Sequence, residues 1–364
     1  EQQFLGGFIA LRLIKDPAQA LAWFERLSAN VSRPISKSRA EYWVGRSYEA
    51  MGEKDRALVH YRLAARYPET FYGQLALARS DSEPLLKVND ADIAAADKSE
   101  IENDPLMPQI RVLADLGLAN DLRLFAQADV KALLTPARLK TFMEALTQWG
   151  YPEIALRLAK NASYEGLVLL DYSHPVIPLP AYRGNGPAPD PAMVLALIRQ
   201  ETEFDPYAIS PSGARGLMQI MPPAARKSAR IAHLPYRPGD LLTNKTYNLQ
   251  LGMIEFAGHL NYWNGSLVLA AAGYNAGDTN ARRWVAAIGD PRDGMDPVDF
   301  IEQIPFGETR NYVQRVLENI EIYRSRLAEK DLPLRIVSDL YAPAAPQNVV
   351  LNAPASGAAM KTAN

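Results

Sequence analysis

The sequence predicts a mostly α protein, with a helical array in its N-terminal half and a second helical domain behind a boundary. Three observations lead there. Over the first 165 residues or so, β-branched runs are few, and Ala, Leu, Arg and Glu recur at helical spacing. One stretch of that half has repeat character. Finally, His174 to Pro191 holds six prolines and two glycines, the composition of an extended connection. The expected organisation is a superhelical domain over 1–165, a linker over 166–190, a second domain over 191–338 and a Pro/Ala-rich tail over 339–364.

The chain opens Glu1-Gln2-Gln3 rather than with Met, and no targeting segment is visible. Phe4 to Ile14 is apolar but broken by Gly6, Gly7 and Arg12, far short of the roughly 20 residues a membrane helix needs. Such a start reads as the middle of a helical array, with an N-terminal part expected ahead of it. From Tyr42 to Pro68, Gly45, Tyr48, Ala57, Tyr61 and Ala64 fall on a tetratricopeptide-like frame. The physical reading is a helix pair: Gly45 and Ala57 allow close approach, the tyrosines fill the gap, and Met51 to Asp55 supplies the turn. Residues 82–135 read as further helices, with Asp104-Pro105 and Thr135-Pro136 as helix starts. The last residues, from about Asp339, have few large side chains and lack a core of their own.

Composition excludes several function classes. A hydrophobic content of 48% suits a globular chain with a real core, and a formal net charge of -2 lacks the basic excess of a nucleic-acid binder. His174 to Leu327 holds 15 Lys+Arg and 15 Asp+Glu, so long-range charge is not what holds its substrate. There is no cysteine, which removes disulfides, thiolate metal sites and cysteine nucleophiles. His60, His174, His233 and His259 are scattered without metal-ligand spacing, and no metal or organic cofactor is expected.

The chemistry concentrates after the boundary. Asp190-Pro191 marks a helix start, and Ala192 to Ile198 is apolar on every side, so that helix should be buried. It ends in Arg199-Gln200-Glu201, which sets a carboxylate at the edge of a core, where desolvation raises its pKa. A carboxylic acid protonated near neutrality is what glycoside cleavage requires. Glu203 and Asp205 are neighbouring acids that could take that part instead. Next, Gly213 and Gly216 allow a tight loop, while Ser210 and Gln219 could hydrogen-bond a neutral sugar beside the apolar Met218 and Met221. A small-residue helix ends at Gly277 with Tyr274 and Asn275 at its terminus, and Ile304 to Val313 opens a last helix that reaches about Leu327. Spacing alone stops at a helical domain with a candidate buried acid.

Four blocks in this order resemble the soluble lytic transglycosylases with a goose-lysozyme-like catalytic domain: Ile198 to Glu201, Gly213 to Pro222, Ala272 to Gly277 and Ile304 to Val313. The match runs from about Pro191 to Leu327. Tyr42 to Gln74 is similar to helices of the superhelix that precedes this domain in the family. The resemblance implies a lysozyme-like domain with at most a small β element near Ser210 to Gly216. It implies Glu201 as catalytic acid/base, and Ser210, Gln219, Met221, Tyr274, Asn275, Glu308 and, more weakly, Tyr312 as cleft residues. Thr202 departs from the family, where Ser is usual; both carry a hydroxyl.

The implied reaction cleaves the β-1,4 bond between N-acetylmuramic acid and N-acetylglucosamine in peptidoglycan without water, leaving 1,6-anhydromuramic ends. A periplasmic location in a Gram-negative bacterium and glycan strands as partner are implied with it, and protein docking through the N-terminal helices is a further expectation. Two other readings stay open: a lysozyme-type hydrolase, and a catalytically silent glycan-binding scaffold.

Overall fold

The computed structural model describes residues 1–87, 103, 107–129 and 135–341. Its N-terminal part is a run of helices in which each packs on the next. Helix α1 (Gln2–Ile9) passes into a π-helical turn (Ala10–Ile14) and is followed by α2 (Pro17–Ala29), α3 (Pro34–Ala50), α4 (Lys54–Ala64) and α5 (Phe71–Ser80). Local chemistry sets the boundaries. Pro17 and Pro34 occupy first turns, the Asp16 carboxylate accepts from the Gln19 N–H at 2.9 Å, and the Thr70 hydroxyl accepts from the Gly73 N–H. The repeat-like segment is indeed the pair α3 and α4. A Cβ on Gly45 would stand 2.6 Å from the Tyr61 ring, so glycine is what permits this approach. An aromatic cluster around buried Trp43, with Phe4, Phe8, Phe24 and Tyr42 at centroid distances of 5.3–5.8 Å, fills the interior.

A second group, α6 (Met107–Asp115), α7 (Ala119–Asp129), α8 (Pro136–Gln148) and α9 (Pro152–Tyr164), shares its own core of Ile110, Leu122, Phe142, Met143 and Leu158. Thr135 caps α8 as its sequence suggests, whereas Asp104 lies outside the described residues. After the single turn α10 (Leu170–Ser173), residues 174–190 carry no helix or strand.

The C-terminal part contains α11 (Pro191–Thr202), α12 (Pro222–Ile231), α13 (Asp240–Thr243), α14 (Lys245–Tyr262), α15 (Leu267–Ala276), α16 (Asp278–Ile288), α17 (Pro297–Gln303), α18 (Gly307–Ala328) and α19 (Ile336–Tyr341). Every residue from Ala192 to Ile198 is buried, and α11 lies against the long helix α18, which also packs on α15. The expected β element consists of two bridges, Ile209 with Arg215 and Arg215 with Ile220. A second β element was not anticipated: Leu85–Leu86 pairs antiparallel with Leu332–Pro333, tying the two halves of the chain together.

One hydrophobic core runs from Phe4 to Leu340, so α1 to α5 and the C-terminal helices are packed as one body. Polar bonds follow the same seam. The Phe71 N–H donates to Glu318 Oε2 at 2.6 Å, Gln74 Nε2 donates to the Glu318 carbonyl at 3.0 Å, and buried Glu302 accepts from Tyr72, Arg39 and Gln314. Asp339 and Leu340, at the start of the expected tail, are also packed: Leu340 is buried and Asp339 pairs with Arg324. Residues from 342 onward lie outside the described residues.

Candidate active site

Helix α11 delivers Glu201 in its last turn. Asp190 caps the other end by accepting the Ala192 N–H at 2.9 Å, and Pro191 fills the first turn. Beneath the helix, half-buried Arg199 donates to the Ser173 carbonyl at 2.7 Å and to Asn319 Oδ1 at 3.0 Å. The same Asn319 oxygen meets His174 Nε2 at 3.1 Å. Burial lowers the His174 pKa well below its ordinary value, so the imidazole is neutral there. The sequence reading gave neither Arg199 nor Asn319 a part. A basic residue at the end of an all-apolar helix was the available signal, since a buried guanidinium demands partners.

Burial pushes the Glu201 carboxyl up to about 7. Two neighbours modulate this in opposite directions. The Tyr312 hydroxyl donates to Glu201 Oε1 at 2.6 Å and favours the charged form, while the negative charge of Glu308 disfavours it. Tyr312, on α18, is buried, and its own pKa is raised far above the ordinary value by burial and by Glu201, so it remains a hydrogen-bond donor. Tyr312 was the weakest of the expected cleft residues; in the fold it is the one bonded to Glu201. Glu308, one helical turn earlier, is exposed.

The Tyr274 hydroxyl donates to the Met218 carbonyl at 2.7 Å, and its ring stands edge-on to Phe256 and His259. Burial raises its pKa well above the usual value, with the charge of Glu201 adding to the effect. Asn275 Oδ1 accepts from the Thr309 hydroxyl at 2.6 Å, which links the end of α15 to the start of α18. The 210–221 loop is held from several sides: the Thr202 hydroxyl meets the Leu217 carbonyl at 3.0 Å, and Asn248 Oδ1 accepts the Met218 N–H at 3.0 Å. A Cβ on Gly216, whose φ is +70°, would collide with Asn248 and the Leu241 carbonyl.

Much of the polarity expected to face a sugar is engaged within this loop. Ser210 Oγ accepts the Ala214 N–H at 3.0 Å, and Gln219 Nε2 donates to the carbonyls of Ala208 and Gly216, both at 3.0 Å. Both amide hydrogens of Gln219 are thereby used, which leaves its oxygen to accept. Met221 is 40% exposed at the head of α12. Glu203 is set apart from Glu201. It ends α11 at φ 51° and pairs with Arg157 at 2.8 Å and Lys160 at 2.5 Å. Burial alone would raise its pKa, but those two cations hold it below the ordinary value, which keeps it a carboxylate at neutral pH and no proton donor there. Among the described residues no group of His, Asp and Glu could hold a metal ion.

With this geometry in place, the comparisons with known proteins bear chiefly on the C-terminal half. Residues 180–293 match the family model of the transglycosylase SLT domain. Over those residues the chain is similar to the SLT domain. A second model, the soluble lytic transglycosylase helical domain, matches residues 303–331. That match falls on α18, the helix bearing Glu308 and Tyr312, and not on the N-terminal half. The longer similarities reach into the N-terminal helices instead, since they cover 85% of this chain. The soluble lytic murein transglycosylase of Salmonella typhimurium is 30% identical over 324 residues, 85% of this chain and 46% of that protein. The Escherichia coli protein of the same name is 29% identical over 318 residues, with the same coverage. The chain thus spans about half the length of the curated relatives it matches. Among solved structures, an inactive Glu-to-Gln mutant of lytic transglycosylase Slt from Pseudomonas aeruginosa aligns with a TM-score of 0.72 at 26% identity, over 91% of this chain and 52% of that one. The 70 kDa soluble lytic transglycosylase of Escherichia coli shares the fold at a TM-score of 0.72 and 24% identity, over 93% and 52% of the two chains.

Proposed function

We propose that this chain is a peptidoglycan lytic transglycosylase in which Glu201 is the sole acid/base. The observation that carries the reading is the state of Glu201: a carboxyl pushed to about 7 by burial, oriented by a 2.6 Å bond from Tyr312, on an SLT domain. Such a group can give up a proton and take one back at the same pH.

In the first half of the reaction Glu201 donates its proton to the oxygen between N-acetylmuramic acid and N-acetylglucosamine, and the C1–O bond breaks. The substrate's own acetamido oxygen stabilises the cation at C1, which replaces the second carboxylate of the usual scheme. In the second half Glu201, now a carboxylate, removes the proton from the C6 hydroxyl as that oxygen attacks C1. The proton count closes on Glu201 and no water is consumed. Because the hydroxyl belongs to the same sugar, its effective concentration is high. Tyr312 accompanies the carboxyl through both states, since a protonated phenol can donate to either form.

Ser210, Gln219, Met221, Tyr274, Asn275 and Glu308 form the substrate-binding set in this reading. Glu308 acts on glycan binding and, by its charge, on the Glu201 pKa. Residues 1–165 serve as the superhelical domain and as a protein-docking surface, residues 191–338 as the catalytic domain. The compartment is the cell wall, specifically the periplasm; among the described residues no helix is long and apolar enough to cross a membrane.

The test is mass spectrometry of the soluble products from purified peptidoglycan. Anhydromuropeptides from wild type and none from Glu201→Gln are expected. Products heavier by one water would instead make the protein a lysozyme-type hydrolase, and no products from either would make it a glycan-binding scaffold.

A further inference from the structure

Asn248 lies in the first turn of α14 and is only 1% exposed. A side-chain amide removed from water costs free energy unless its hydrogen bonds are made, and asparagine is a weak helix former. At this position three bonds are made, all of them to backbone. Oδ1 accepts the Met218 N–H at 3.0 Å, while Nδ2 donates to the Arg215 carbonyl at 2.8 Å and to the Leu241 carbonyl at 2.9 Å. One side chain thus joins the 210–221 loop, α13 and α14. The loop can lie this close because α14 gives way beneath it. A Cβ on Gly252, one turn beyond Asn248, would stand 2.5 Å from Met218 Sδ.

The Met218 N–H belongs to the same peptide group as the Leu217 carbonyl. That carbonyl accepts from the Thr202 hydroxyl at 3.0 Å, and the same hydroxyl meets the Ile198 carbonyl of α11 at 3.2 Å. Thr202 is the residue after Glu201. The following carbonyl, of Met218, accepts from the Tyr274 hydroxyl at 2.7 Å. Asn248 therefore stands behind a short piece of backbone that also holds the neighbour of the acid and the tyrosine on which the acid's charge acts. Being buried, Asn248 does not reach a substrate itself.

We propose that Asn248 is a positioning residue for Glu201: it fixes the Leu217–Met218 peptide group and, through Thr202 and Tyr274, the wall around the acid. The proposal rests on the transglycosylase reading for its effect on turnover; its effect on the Glu201 carboxyl stands without it. With the amide removed, the Met218 N–H and two carbonyls lose this partner, and the peptide turns toward water. Water admitted beside Glu201 weakens the desolvation that holds its pKa up. The titratable groups that act on Glu201, Tyr312 and Glu308 on α18 and Tyr274 on α15, keep their identity, so the direction is downward.

The test is an NMR titration of the Glu201 side-chain carboxyl, whose signal is identified by its loss in Glu201→Gln. In Asn248→Ala the carboxyl should titrate lower than in wild type by about half a pH unit or more. Turnover of peptidoglycan should fall about tenfold, with KM changed less than kcat. Gly45→Ala, which loosens the chain far from this loop, should move neither reading. Asn248→Ser leaves a hydroxyl in the buried space and should show the same shift at smaller size, so the test survives if Asn248→Ala does not fold. Thr202→Val frees the same peptide group from its other side. Combined with Asn248→Ala, it should reduce turnover little beyond the worse of the two single changes. An unmoved Glu201 titration in a folded variant at Asn248 would overturn the proposal, as would an equal shift in Gly45→Ala, fully additive losses, or a loss that lies in KM alone. No glycan products from wild type would sink the transglycosylase reading instead, and the Glu201 titration would still decide the role of Asn248.

Discussion

The buried hydroxyl of Tyr312 donates to Glu201 Oε1 at 2.6 Å across 111 residues of sequence. This one bond keeps the Glu201 pKa from rising further than burial would take it. Tyr312→Phe removes the donor and leaves the ring. Its expected effect is a pH–rate profile whose basic limb moves upward by up to about one unit, because the acid form persists to higher pH. Turnover should also fall by roughly tenfold as the carboxyl loses its orientation. A profile of kcat/KM against pH for both proteins decides the matter. An unmoved basic limb would mean that Tyr312 has no hold on the acid.

Glu201→Gln should lower turnover by about 10²–10⁴-fold, the usual contribution of a general acid/base, while glycan binding persists. The same variant has a stability signature. Folded Glu201 keeps its proton to about pH 7, whereas the ordinary value is 4.5. Between those values the folded state holds the extra proton, so wild-type stability declines as pH rises through that window. Glu201→Gln removes this dependence. Urea unfolding should find the two proteins alike near pH 4 and the variant more stable by roughly 1–3 kcal/mol at pH 8. Equal stability at pH 8 would contradict the burial argument.

Glu308→Gln addresses the second acid. Its exposed charge raises the Glu201 pKa, so neutralising it should shift the basic limb down by a few tenths of a unit. KM for glycan should rise several-fold with kcat largely kept. A loss of kcat as deep as that of Glu201→Gln would reverse the assigned roles.

Glu203 carries the opposite sign. Burial would raise its pKa, but Lys160 and Arg157 lower it below the ordinary 4.5. Its contribution is present above that value and is lost as pH falls through the folded pKa. Glu203→Gln should therefore cost about 1 kcal/mol at pH 7 and progressively less as acid protonates the wild-type carboxylate, measured by denaturant unfolding. A cost independent of pH would mean that packing, not charge, is at work.

Gly45→Ala tests the close approach of α3 and α4. A Cβ would stand 2.6 Å from the Tyr61 ring, and such overpacking should destabilise by about 1–3 kcal/mol in thermal unfolding. An unchanged melting temperature would show that Tyr61 can move away.

Local chemistry made a good deal of this protein legible from its residues alone. The Asp190-Pro191 start, the all-apolar stretch to Ile198 and the placing of Glu201 at its end all rest on effects that act within a turn or two of helix. The same holds for the end of α15 at Gly277 and for the tight loop around Gly216. What only the tertiary structure decided was which groups meet. Tyr312 became the partner of Glu201, Glu203 was claimed by Arg157 and Lys160 of α9, and Ser210 and Gln219 were turned onto their own loop. Arg324 was left with an unsatisfied N–H at the far end of α11. Periodicity, caps and turn residues report short-range preferences along the chain. Hydrogen-bond partners and pKa shifts depend on which helices a shared core brings into contact, and that is a property of packing across hundreds of residues.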